Sequence, residues 1–399
     1  MNIIENKKRI AVIGSGTAGC ISAIHSLRNP LKSNSTEIIW YTSPKIPAKS
    51  VGEGAFPILS SLLKECLDWG HDDIIKVKGT YKTGIKKKNW GGSGDFMHSF
   101  PIGTNALHFN ANIFQETIKT QLSQEIPIIE KHINNPTEID SDYIIDCSGT
   151  PKNFNEYYQS PYIPVNNAYI TQCYWDSPTF DHTLTIARPY GWVFGIPLQN
   201  RCSIGYLFNN SINSLKEVKE DVKNIFKEYK LNPSESTNNI KFNNYYKKEN
   251  FTDRIAYNGN ASFFLEPMEA TSITTVLRTN ILATEIIHKN YSPDEQNQIY
   301  VDQLRQIECM IMFHYLAGSK FNTPFWEYAL NRAENCISNP PNPKLFNQVY
   351  NLSKIYTKKN VNNNSPNHSL DYGLWPPQGF SQNLKNLNLY NKIDKLINT

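Results

Sequence analysis

Two stretches of the 399-residue sequence set reactive side chains beside backbone that can bind an anion. Near the start, Gly14-Ser15-Gly16-Thr17-Ala18-Gly19 follows the β-branched run Lys8 to Ile13 and opens an amphipathic stretch that reaches about Leu27. Strand, tight turn and helix in that order suit a dinucleotide. The glycines let backbone N–H groups close on a pyrophosphate, whose charge the helix dipole favours. In the middle of the chain, Glu266-Pro267-Met268-Glu269-Ala270-Thr271-Ser272-Ile273 leads into a helix expected over 273–288. The unpaired amides from Ala270 to Ser272 form a second anion site by the same physics, and Glu269 reads by itself as a dipole-favoured acid in a first helical turn.

Other residues are ambiguous on their own. The segment Gly79 to Trp90, if extended, puts Tyr81, Thr83 and Ile85 on one face and Lys82 and Lys86 on the other, and a basic run of this kind is usually a solvated edge. Downstream, Asp95 to Phe100 offers His98 and Phe100 as polar and stacking contacts for an aromatic ring, or as core residues. Trp192 and Phe194 alternate along one strand face, which suits core packing. Lys49 to Pro57 is a glycine-rich bend that opens a helix at Pro57.

The elements that must position these residues follow an α/β pattern. After Lys8–Ile13 and its helix comes a strand over 37–41, ending at Thr42-Ser43 where a ribose-binding acid usually sits. A buried strand over 143–146 ends in the small-residue turn Cys147-Ser148-Gly149. Segments 169–175, 182–188, 192–198 and 201–208 read as successive strands separated by turn residues. Residues 214–230 and 296–335 read as helical, and 358–369 as a polar linker before a short C-terminal segment.

Composition narrows the function class. The net charge of +4, from 40 Lys+Arg against 36 Asp+Glu, gives no large basic footprint for nucleic acid. Seven cysteines, Cys20, Cys66, Cys147, Cys173, Cys202, Cys309 and Cys336, show no C-x-x-C and no ligand spacing, which argues for reduced thiols in a cytoplasm and against a metal site. The N-terminal residues lack a signal-peptide layout, and no apolar run approaches the roughly 18 residues that span a membrane.

Taken together, the motifs resemble the flavin-dependent tryptophan halogenase family, and they recur in family order. Val51-Gly52-Glu53-Gly54 is similar to the V-G-E-A segment bordering the isoalloxazine ring. Trp192-Val193-Phe194-Gly195-Ile196-Pro197 resembles W-x-W-x-I-P, with Phe194 replacing the second tryptophan. Gly259-Asn260 through Ile273 resembles G-D-A-x-x-F-x-x-P-L-E-S-T-G/S-I, departing at Asn260. Tyr81 to Trp90 falls on F-K-x-x-I-x-F-x-N-W, which gives Lys82 the catalytic lysine's position. Asp95 to Phe100 resembles H-F-Y-H-S-F, and His314-Tyr315 with Thr323-Pro324-Phe325-Trp326 resembles a helical signature whose aromatics read as scaffold.

The resemblance implies a fold and a site. The fold is α/β: a Rossmann-like FAD-binding domain of the flavin monooxygenase and halogenase type over 1–280, with an additional sheet, residues 80–110 contributing to the substrate pocket, and a mainly helical substrate-side region over 281–399. FAD, used as FADH2, falls to Gly14, Ser15, Gly16, Thr17, Ala18, Gly19, Thr42, Val51, Gly52, Glu53, Gly54, Gly259, Asn260, Pro267 and Ile273. Thr271 and Ser272 bind halide (chloride, bromide or iodide), His98 and Phe100 bind substrate, and Trp192, Phe194, Ile196 and Pro197 shield the flavin from it. Halide oxidised at the flavin by dioxygen gives hypohalous acid, which Lys82 captures and Glu269 assists in delivering to a small aromatic substrate. With no second nucleotide fold, a separate flavin reductase is implied, and a homodimer remains open. The chain is shorter than a typical family member, which implies a reduced substrate cover. Two alternatives stand beside this reading: an FAD-dependent aromatic monooxygenase, and a non-catalytic flavin-binding protein, against which Lys82 and Glu269 together argue.

Overall fold

The computed structural model describes residues 8–29, 31, 36–45, 53–91, 94–100, 106–359 and 371–398. Lys8–Ile13 is the central strand of a five-stranded, all-parallel sheet, flanked by Thr36–Thr42 and Tyr143–Asp146, with Ile128–Glu130 and Ile255–Tyr257 at the edges. One face packs against helix residues such as Ile21 and Ile24, and the other is covered by Ile133 and Ile139, which is why Ile10, Ala11, Val12 and Ile13 are all buried. The helix Thr17–Arg28 follows at once. Gly14 makes that turn with φ +109°, and a Cβ there would stand 2.3 Å from the Cys147 carbonyl oxygen, so no other residue fits without moving the neighbouring strand.

A seven-stranded sheet packs beside the first. The four strands expected between 169 and 208 are Asn167–Tyr174, Thr183–Arg188, Gly191–Pro197 and Arg201–Phe208. Asn232–Lys241 adds one edge, and Gly84–Lys88 with Phe96–Ser99 add the other. Pairing is antiparallel throughout, except between Thr183–Arg188 and Gly84–Lys88. Alternation divides the strand Gly191–Pro197: Trp192 and Phe194 join the main core, while Val193 faces the helix Leu215–Glu228 through Val218, Val222 and Ile225.

The basic segment does not run as one strand. Thr80–Lys82 pairs with Ala106–Phe109 in a three-stranded sheet that also holds Glu53–Gly54. Gly84–Lys88 belongs to the large sheet, and between them the Thr83 amide donates to the Asp181 carbonyl at 3.0 Å. This change of sheet shifts the alternation by one residue. Tyr81 and Thr83 are exposed, but Ile85, expected on their face, is buried. Lys82 and Lys87 are both buried, at 1% and 0% exposure, whereas a solvated edge was expected of a run this basic.

From Thr271 onward the described elements are helical: Thr271–Lys289, Pro293–Ala317, Pro324–Ile337, Pro343–Lys359, Pro377–Asn386 and Tyr390–Ile397. The helical stretch expected over 296–335 is two helices, broken at Gly318 and restarted at Pro324. Thr271–Lys289 passes position 280 without interruption. Lys358 and Lys359 close a helix, and the rest of the expected linker lies outside the described residues. Among the described residues, no helix is long and apolar enough to cross a membrane.

Phe194 lies directly over Gly205 on the paired strand: a Cβ at 205 would stand 2.1 Å from the ring. Gly205→Ala therefore has to displace Phe194 from the core, and the variant is expected to lose about 1–3 kcal/mol of stability. Urea titration checks this, and an unchanged midpoint would show that the ring is not confined.

Candidate active site

Three of the segments assigned to the cofactor converge. The helix Thr17–Arg28 begins without a side-chain cap, and the space in front of Gly16 is open to 4 Å from where a Cβ would be, so its first amides face an accessible surface. The Thr17 hydroxyl donates to Glu53 at 2.7 Å, which ties the glycine turn to the Glu53–Gly54 strand. Burial raises the Glu53 carboxyl, and the Thr17 hydrogen bond partly offsets this. Gly259 lies against Ala18, close enough that a Cβ on it would stand 2.5 Å from the alanine methyl. Asn260 is exposed, and its carbonyl accepts from Tyr245 Oη at 2.7 Å. Thr42 ends its parallel strand with a buried hydroxyl that has no hydrogen-bond partner among the described residues. An orphaned hydroxyl at the ribose position, together with an uncapped helix start, fits an adenine dinucleotide. Val51 and Gly52 lie outside the described residues.

Lys82 sits where this cleft meets the aromatic residues. Its Nζ is 5.4 Å from the Phe56 ring centroid and 5.3 Å from that of Phe100, and the two rings are 5.3 Å apart. It comes within 3.7 Å of where a Cβ on Gly54 would be. No described residue accepts a hydrogen bond from it. Burial lowers its pKa to about 7, against the opposing pull of the Glu269 carboxylate. His108 lies beside it, held by Thr80 Oγ1 at 3.1 Å and Thr183 Oγ1 at 2.9 Å, and burial and the Lys82 charge keep its imidazole neutral.

Glu269 occupies a separate and crowded niche. Glu269 and Ala270 both take left-handed backbone, with φ of 62° and 51°. Two such non-glycine residues in succession cost of the order of 1–3 kcal/mol each and turn the chain abruptly into the helix Thr271–Lys289. The fully buried carboxylate pairs with Lys87 Nζ through Oε1, while His98 Nδ1 meets Oε2 at 3.1 Å and Trp375 Nε1 points to Oε2 from 3.4 Å. His314 Nε2 is 3.0 Å from Oε1. Burial alone would raise the pKa of Glu269, but the Lys87 charge and the His98 hydrogen bond hold it well below the usual carboxylate range. Thr271 is buried and Ser272 half-buried at the uncapped start of the helix, one turn from this carboxylate. Pro267 is half-buried before the turn, and Ile273 is buried beyond it.

The expected shielding strand is part of the core. Trp192 and Phe194 are buried with ring centroids 6.3 Å apart, and the Pro197 carbonyl accepts from Thr80 Oγ1 at 2.8 Å, next to the Lys82 strand. Ile196 is half-buried. Trp192 faces a buried acid, Glu266, whose Oε2 accepts from Tyr315 Oη at 2.8 Å.

Several site residues escape a reading by motif. Lys87 falls on the second phenylalanine of F-K-x-x-I-x-F-x-N-W, and that mismatch is the one signal that marks it. His314, expected as scaffold, touches Glu269. Trp375 and Asn383 come from the C-terminal segment, which Arg278 anchors through Asp371 at 2.9 Å and the Gly373 carbonyl at 2.7 Å. Trp375 of this segment reaches Glu269, and Asn383 reaches Lys87. Among the described residues no group of three or more His, Cys, Asp or Glu could hold a metal ion.

Residues 9–126 and 105–351 match the sequence profile of the tryptophan halogenase family. Tryptophan 7-halogenase RebH of Lentzea aerocolonigenes is 22% identical, over 80% of this chain and 78% of that protein. Tryptophan 6-halogenase ThaL of Streptomyces albogriseolus is 20% identical over the same shares. Among solved structures, BrvH, a flavin-dependent halogenase from Brevundimonas sp. BAL3, superposes with a TM-score of 0.75 at 18% identity, covering 98% of this chain and 93% of that one. Glycine turn, parallel sheet and profile match define an oxidoreductase of the flavin-dependent halogenase class. Within that class, the chain belongs to the tryptophan halogenase family.

Glu266 yields a pH prediction. Burial raises its pKa from an ordinary 4.5 to about 8, in spite of the hydrogen bond from Tyr315. Between those values the folded chain keeps a proton that the unfolded chain has released, so this group's contribution weakens stability as pH rises through the window. Glu266→Gln should gain on the wild type progressively from about pH 5 to pH 8, by a few kcal/mol at the upper end. Urea midpoints at several pH values test this, and a difference independent of pH would show that Glu266 does not titrate there.

Proposed function

We propose that the protein is an FADH2-dependent halogenase that uses dioxygen and halide to halogenate a small aromatic molecule, with Lys82 and Glu269 as its catalytic residues. The observation that carries this reading is the Lys82 amine: buried, without an acceptor, between two aromatic rings and beside Gly54. Reduced flavin, when bound, supplies the electrons with which dioxygen converts halide to hypohalous acid. Gly14, Ser15, Gly16, Thr17, Ala18, Gly19, Thr42, Glu53, Gly54, Gly259, Asn260, Pro267 and Ile273 would hold it, with Val51 and Gly52. Thr271 and Ser272 would hold the halide through backbone amides at a positive helix end.

Lys82 has no acceptor for an ammonium proton, and a buried unpaired cation is costly, so the neutral amine is the working form. That amine takes halogen from hypohalous acid with release of water, then passes it to the substrate ring and regains its proton from the ring carbon. Phe56 and Phe100 keep water from the amine, and His98 and Phe100 would line the substrate side. The fixed negative charge of Glu269 favours the cationic ring that forms when halogen adds. Trp192, Phe194, Ile196 and Pro197 would separate organic substrate from the flavin. A separate flavin reductase in a reducing cytoplasm completes the system, and the seven cysteines are free thiols.

Mass spectrometry of an aromatic panel, incubated with a flavin reductase, NADH, FAD and each halide in turn, tests the activity. Halogenated product is expected, and hydroxylated product without halide would instead indicate a monooxygenase. Lys82→Met should lower halogenation by at least about 100-fold while FAD binding persists; full halogenation by that variant would remove Lys82 from the chemistry. With reductase in excess, wild-type turnover should rise with pH through about 7 as the Lys82 amine forms. A fall over that range would assign the work to the ammonium.

A further inference from the structure

Lys87 meets three acceptors and has no exposed side-chain surface. Its Nζ pairs with Glu269 Oε1 and lies 2.7 Å from both His314 Nε2 and Asn383 Oδ1, which matches the three protons of an ammonium. His314 can accept because its Nδ1 donates to the Ile311 carbonyl at 3.2 Å, and burial and the Lys87 charge press its pKa down to about 4. The rings of Phe96 and Trp375 flank the cation at 5.6 and 5.5 Å. Both side chains of the Lys87–Glu269 pair have 0% exposure, so solvent supplies neither charge. Glu269 is faced by Lys87 from the strand Gly84–Lys88, His98 from Phe96–Ser99, His314 from Pro293–Ala317 and Trp375 from the C-terminal segment, with Lys82 acting on it at longer range. Of these, Lys87 is the lysine in contact with the carboxylate.

We propose that Lys87 is a positioning residue for the halogenation step: it fixes Glu269 as an anion in one orientation and joins it, through Asn383, to the C-terminal cover. This inference rests on the role given to Glu269 above. Without Lys87, the fully buried carboxylate loses its lysine counter-ion, and protonation is its way of shedding the unpaired charge. The niche would then present a neutral acid to the reacting ring.

Lys87→Met keeps most of the side-chain length and removes the charge. Its turnover at neutral pH should fall by about tenfold or more, and the ratio to wild type should recover as rising pH ionises Glu269 again. A ratio constant across pH would overturn the proposal, because a merely structural defect does not titrate. A second arm needs neither flavin nor substrate. In the protein labelled with 13C at glutamate carboxyl carbons, the resonance assigned through Glu269→Gln should not titrate above about pH 5 in the wild type, and should titrate in Lys87→Met. An ordinary wild-type titration, or one unchanged by the substitution, would also overturn it. If Lys87→Met folds poorly, Lys87→Met/Glu269→Gln should recover most of the lost melting temperature, since the stranded charge is gone; failure to recover would count equally against the proposal. Absence of halogenated product from the wild type would defeat the function assigned to the site, while the resonance and melting arms still decide the role of Lys87.

Discussion

A carboxylate with no exposed surface must draw charge and hydrogen bonds from the protein itself, and Glu269 draws them from two strands, a long helix and the C-terminal segment. This requirement organises the substrate side of the molecule. It fixes where Gly84–Lys88 lies relative to Phe96–Ser99, because their paired register brings Lys87 and His98 to one carboxylate. It also explains the strained turn at Glu269 and Ala270. Relaxing either residue to ordinary helical backbone would withdraw the carboxylate from partners worth more than the strain, since breaking a buried ion pair costs about 3–5 kcal/mol.

Lys82 and Lys87 show how differently one residue type behaves in two environments. Both are buried and burial lowers the pKa of both, but Lys87 has three acceptors, its counter-ion among them, whereas Lys82 has rings on two sides and a carboxylate only at a distance. One is paired with the Glu269 carboxylate. The other is an amine whose lone pair is free near neutrality. The difference arises from geometry within five residues of sequence, and the change of sheet at Thr83 produces it.

How much of this could be read beforehand follows from the range of the forces involved. The glycine turn, the parallel strands and the four antiparallel strands were legible because local periodicity and turn residues set them. Thr271 and Ser272 were legible as a helix start, Glu269 was expected inside its first turn but precedes it in left-handed backbone, and only the family resemblance singled out Lys82. Lys87 was not, because Lys86, Lys87 and Lys88 are alike in type, and which one turns inward depends on pairing with Thr183–Arg188, about a hundred residues away. His314 sat within a recognised signature, yet nothing local separates an imidazole in a scaffold from one on a carboxylate. Trp375 and Asn383 followed a polar stretch, and their approach to Glu269 depends on the Arg278–Asp371 anchor.

The change of sheet at Thr83 has a consequence for how this stretch can vary. Lys82 and Lys87 both point inward only because the strand parity slips once between them, so adding or removing a single residue from Gly79 to Asn89 would exchange inward and outward positions along one half. Side chains here can be replaced one at a time, each at its own cost. A change in residue count cannot be absorbed locally and would evict one of the two lysine side chains into water.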